Sequence, residues 1–89
     1  MTLDKESIIA AIKTKVMEIA ETLDCDASDI AADEILPATG AIDSAGLLDL
    51  IAWFEATYGL RIATEEFTID NLGSMEMMAN FLLKRKGLL

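Results

Sequence analysis

Histidine is absent from this sequence, cysteine and proline occur once each, at Cys25 and Pro37, and only 7 Lys and Arg stand against 16 Asp and Glu. Without histidine or a second cysteine there is no Ser/His or Cys/His pair to activate a nucleophile and no thiolate cluster for zinc. Catalysis by the chain itself is therefore not expected. Cys25 has no partner for an intramolecular disulfide. The net charge of −9 repels nucleic-acid phosphates and anionic membrane surfaces and favours basic protein partners. No apolar run approaches the roughly eighteen residues that span a bilayer. The opening MTLDKESIIAAIKTK carries charges where a signal peptide needs its apolar stretch. These absences predict a cytoplasmic chain that binds neither nucleic acid nor membrane.

What is present is core-forming material. Of 89 residues, 53% are hydrophobic, enough to argue against disorder and for one domain over 1–89, expected as a monomer. Ile9, Ile12, Val16, Ile19, Ala20 and Leu23 recur at helical spacing between Leu3 and Leu23, a stretch free of Gly and Pro. Residues 24–43 show no long period and contain Pro37 and Gly40, which predicts a connection pinned to the core by Ile30, Ile35, Leu36 and Ile42. A second helix is expected from Ser44 to Tyr58, stopped by Gly59, then a short helical turn around Thr64–Phe67. Ser74 is placed to cap a last helix running to Lys86, whose Lys84, Arg85 and Lys86 suit the negative end of the helix dipole. No stretch alternates with period two for long enough to build a sheet. The expected fold is all-α: a small four-helix bundle with a long loop between the first and second helices and a short third helix.

The acidity is uneven. Asp24, Asp26, Asp29, Asp33, Glu34, Asp43, Asp49 and Glu55 lie between residues 24 and 60 with no Lys or Arg among them. A solvated acidic face and a surface that steers a basic partner both fit such a field. A calcium loop does not. Asp24, Asp26 and Ser28 match the first, third and fifth positions of an EF-hand, but Asp29 stands where glycine is needed and Ile35 where a bidentate Glu is needed.

On a helix beginning at Ser44, a rotation of about 100° per residue gathers Leu47, Leu50, Ile51, Phe54 and Tyr58 into one core-facing stripe. Leu48, Ala52 and Glu55 fall on the neighbouring face nearer Ser44, with Asp49 a little beyond. That face, together with Ala45 in the first turn, is a candidate partner surface, while Trp53 is expected to pack at the edge of the core. Asp43 and Ser44 have the side chains of an N-cap. The same position also suits a serine that is modified, because a phosphate ester there meets the positive end of the helix dipole.

The segments DASDI, ILPATG, GAIDSAGLLDLIAWFEATYG and EEFTIDNLGSMEMMANFL, over Asp26 to Phe81, resemble in order, spacing and acidity a phosphopantetheine-dependent acyl carrier protein. In that family the serine of an Asp-Ser-Leu-like motif carries the prosthetic arm. The resemblance assigns that role to Ser44, with Asp43 flanking it. It implies 4′-phosphopantetheine as the cofactor and a phosphopantetheinyl transferase as the first partner. Further partners would be an acyl or aminoacyl ligase or synthase and downstream transferases of fatty acid or secondary metabolite biosynthesis. The implied function is a discrete, non-enzymatic carrier holding an acyl or aminoacyl group as a thioester. Ala45 replaces the usual Leu after the serine, and Gly40 lies four residues before Ser44, the spacing of D-alanyl carrier-like proteins. The alternative is an unmodified acidic helical interaction module in which Ser44 is only an N-cap.

Overall fold

Asp4 begins the fold by accepting the Ser7 main-chain N–H at 2.8 Å, which caps helix α1 (Lys5–Thr22). The computed structural model describes residues 4–40 and 42–87, apart from the side chains of Pro37 and Ser44. Along α1 the buried residues are Ile8, Ile12, Val16, Ile19 and Ala20. The inward stripe is thus set by Ile8, with Ile9 half-buried at its flank, because positions 8, 12, 16 and 19 stack on one face. Leu23, expected in that stripe, is instead the C-cap and is exposed, since the chain turns away after Thr22.

The long connection contains a one-turn helix, α2 (Leu36–Thr39), closed by Gly40 in the left-handed region at φ 76°. Ala27, Ile30, Leu36 and Ile42 are buried and Ile35 is half-buried. Two main-chain bonds also fasten this segment, Leu36 N–H donating to Gly73 O at 2.8 Å and Glu76 N–H to Ala32 O at 2.9 Å. A connection this long stays ordered because it exchanges backbone bonds with a distant element as well as burying side chains.

Helix α3 (Ser44–Tyr58) ends at Gly59, at φ 63°. Over the stretch where one short helical turn was expected, Thr64–Phe67, the chain forms a 3-10 turn (Thr64–Glu66), and a separate one-turn helix, α4 (Ile69–Leu72), follows that the sequence reading did not include. Thr68 separates the two, with an extended backbone and a hydroxyl that caps α4 by accepting the Asn71 N–H at 3.2 Å. Ser74, fully buried, caps α5 (Met75–Arg85) through the Met77 N–H. There are no strands among the described residues. Helix α1 lies centrally, packed against both α3 and α5, while α4 rests on α5. Phe54, Leu50, Met75, Met78 and Leu82 fill the space between them. The fold thereby presents the start and one outer flank of α3 to solvent.

Candidate functional site

Asp43 holds the first turn of α3. Its carboxylate accepts the Gly46 N–H at 2.7 Å, and its carbonyl accepts the Leu47 N–H at 2.8 Å. The N-cap is therefore Asp43, and Ser44 is the first helical residue. This corrects the expectation that Ser44 itself shares the cap: Asp43 has the extended backbone that an N-cap requires, and Ser44 already lies inside the helix. The Ser44 side chain lies outside the described part of the structure.

Gly46 is buried two residues further on. A methyl group built there would come to 2.8 Å from Ile19 Cγ2 on α1 and 2.8 Å from Ile42 Cγ1 in the connection. Both isoleucines are themselves buried. Sequence reasoning passed over Gly46, since a glycine inside a helix ordinarily signals only weakened propensity. The signal that could have found it was its place one turn before Leu50, on the core side of an otherwise apolar helix.

One turn beyond Ser44, Leu47, Leu48 and Ile51 form one wall of an apolar groove of about 330 Å³. The facing wall comprises Phe67, Ile69 and Leu72, with Thr68 and Gly73 at its edge. Leu48 and Ile69 are 63% and 60% exposed, values at which a large apolar side chain has little of its surface removed from water.

The candidate partner residues divide. Ala45, Leu48, Asp49 and Ala52 are exposed along α3, as their positions on the helix predict. Glu55 is half-buried and already engaged within the chain. Its carboxylate accepts the Ile62 N–H at 2.7 Å, drawing the chain after α3 back along the helix. Helical spacing alone could not show this, because the bond depends on where the following loop returns. Trp53 is half-buried at the core edge, with its ring edge-on to Tyr58 at 6.2 Å between centroids. Burial raises the Tyr58 phenol above its ordinary range.

The groove's outer wall is fastened from behind by Arg85, which reaches across from α5. It ion-pairs with Glu66, donates to the Arg61 carbonyl at 2.9 Å and lies over the Phe81 ring at 5.0 Å. Glu66 also accepts the Ala63 N–H at 2.9 Å. Arg85 first, and then that N–H, hold the Glu66 carboxyl below the usual carboxylate range. Arg85 thus does more than complement the dipole of its own helix.

These features fit a phosphate-linked arm on this serine. Position 44 offers a hydroxyl for the ester, its cap is supplied by a neighbour, and α3 is long enough, at 15 residues, to direct the positive end of its dipole at a phosphate. The family model described as phosphopantetheine attachment site matches residues 16–81. Domains of this family are non-catalytic carriers to which 4′-phosphopantetheine is attached, and they work with phosphopantetheinyl transferases and biosynthetic enzymes. No curated protein and no solved structure is significantly similar to this chain. No helix among the described residues is long and apolar enough to cross a membrane.

Proposed function

The chain belongs to the phosphopantetheine attachment-site family, and on that premise we propose that Ser44 is the attachment residue of a carrier for acyl or aminoacyl groups. The observation that carries the assignment is the division of labour at the start of α3. Asp43 occupies the N-cap with its carboxylate, which leaves position 44 as the first residue inside the helix. The other candidate serines have different surroundings. Ser74 is fully buried and caps α5, Ser7 lies in α1 with its hydroxyl donating to Asp4 at 2.9 Å, and Ser28 lies in the connection, its N–H donating to Asp26.

When bound, the arm supplies the thiol that holds cargo as a thioester. The chain's own residues present it and release it. Asp49, exposed on α3 in a segment without cations, draws basic transferases and synthases in a cytoplasmic setting through weak, screened contacts that also allow departure. The groove beside Leu47 and Leu48 favours an apolar acyl group over a charged aminoacyl one, since each methylene removed from water there contributes about 0.8 kcal/mol.

The test is intact mass before and after incubation with coenzyme A and a broad-specificity phosphopantetheinyl transferase. The native chain should gain one arm and Ser44→Ala none, with both variants folded by circular dichroism. Retention of the arm by Ser44→Ala would falsify the assignment. Absence of any gain by the native chain would favour the unmodified acidic interaction module. Repeating the reaction with acyl-coenzyme A donors of increasing chain length should raise the melting temperature stepwise, and a flat series would remove the acyl preference.

A further inference from the structure

Resting on Ser44 as the attachment residue, we infer that Gly46 is a positioning residue that sets where that serine stands. Three elements meet at Gly46. It belongs to the first turn of α3, its N–H donates to the capping carboxylate of Asp43 at 2.7 Å, and its α-carbon faces Ile19 of α1 and Ile42 of the connection. A methyl group at this position would lie 2.8 Å from each isoleucine and 3.2 Å from Asp43 Oδ1. Ordinary carbon–carbon contact begins at about 3.5 Å. The turn can therefore sit where it does only because residue 46 lacks a side chain.

The geometry makes the direction of failure specific. Ile19 and Ile42 are buried, 7% and 2% exposed, and cannot swing into solvent to make room. A methyl group at 46 must push the α3 start away from α1, and the displacement reaches Ser44 two residues earlier on the same turn. The same methyl crowds the Asp43 carboxylate that fixes the turn. Outward displacement of the serine leaves the rest of the α3 flank, including Asp49 and Leu48, in place for docking. The transferase then binds the carrier normally and finds its nucleophile misplaced. Misplacement of this size costs on the order of tenfold to a hundredfold in rate.

A purely structural role for Gly46 would act differently. If substitution only lowered the folded fraction, fewer competent carriers would be present at a given concentration. The apparent KM would rise while kcat stayed unchanged. Gly59→Ala provides the matched control. It strains a left-handed residue at the far end of α3, where nothing lies within 4 Å of the added methyl.

The experiment measures transferase kinetics by mass gain on native chain, Gly46→Ala and Gly59→Ala. The expected result is a kcat lowered roughly tenfold or more for Gly46→Ala with KM for the carrier little changed, and the reverse pattern for Gly59→Ala. Should Gly46→Ala not fold, Ile42→Ala is read in the same way. It keeps the glycine, removes the Ile42 Cγ1 that faces it and should lower kcat in the same sense by a smaller factor. An unchanged kcat in a folded Gly46→Ala, or in Ile42→Ala when Gly46→Ala does not fold, overturns the inference while the Ser44 assignment stands. Failure of the native chain to gain the arm, or gain by Ser44→Ala, overturns the assignment itself.

Discussion

The start of α3 and the wall across the groove from it are held by different forces. At the start, Gly46 lies against Ile19 and Ile42 with no room for a methyl group. Across the groove, residues 61–72 bury Ile62 and Leu72 but are otherwise tied by polar bonds near the surface: Ile62 to Glu55, Ala63 and Arg85 to Glu66, Arg85 to Arg61, and Asn71 to the Glu66 carbonyl. Close apolar packing rises steeply in energy with displacement and is indifferent to salt and mild acid. Exposed ion pairs yield to both. The candidate attachment point is thereby fixed, while the groove beside it has a wall that responds to conditions.

The largest effect should come from emptying the packed side of this pair. Ile19→Ala removes a buried side chain that forms the seat of Gly46, and changes of this kind cost about 2–5 kcal/mol. Urea denaturation should show a loss in that range, equal within error at low and high salt. A loss below about 1 kcal/mol, or one that varies with salt, would mean that the start of α3 is not held by packing.

The two regions also differed in how far the sequence disclosed them. The bounds of α3 and the caps at Gly59 and Ser74 were legible because period and capping are local: a helix signals its ends within a few residues of them. Burial of Leu50, Ile51 and Phe54 followed from the same rotation. Gly46 was not legible as a seat, since its role depends on which helix lies opposite. The tie made by Glu55 was not legible for a similar reason. Its bond to Ile62 spans 7 residues and exists only because the loop doubles back. The clasp of Arg85 on Glu66 spans 19 residues and joins two elements whose pairing no local pattern encodes. The one-turn helix α4 lies outside the turn expected at Thr64–Phe67, because it begins afresh after the extended, capping Thr68. Local order could be read from the chain, and contacts between elements that are distant in sequence could not.

A middle-sized effect separates the two acidic-motif neighbours. Asp43→Ala removes the carboxylate that accepts the Gly46 N–H and should cost about 0.5–2 kcal/mol, as loss of an N-cap does. Ser44→Ala should cost less, because residue 44 lies within the helix and the cap remains. Thermal melts of the two variants in one buffer give the comparison directly. Equal losses would mean that the serine shares the cap after all, and would weaken the argument that position 44 is reserved for chemistry.

The smallest effect, and the one most dependent on conditions, belongs to the Arg85–Glu66 clasp. The native fold holds the Glu66 carboxyl below its ordinary range, so in mild acid the unfolded chain binds more protons at this site than the folded one. The stabilisation linked to Glu66 is accordingly complete above the unfolded carboxylate range of about pH 4 to 5 and is lost as pH falls through the lower folded value. Arg85→Gln removes the leading cause of the depression but leaves the Ala63 N–H, so the acid limb of the melting curve should flatten in part. Glu66→Gln removes the titrating group and should flatten that contribution completely. Asp4 and Asp26 are also held low, by bonds from Ser7 and Ser28, and add the same acid slope to every variant, which makes the difference from native the quantity to read. Melting temperatures from pH 7 down to pH 3, at low and high salt, should show variant and native curves converging as salt rises. Persistence of the full difference in high salt would place the clasp with the packed contacts and erase the contrast between the two sides of the groove.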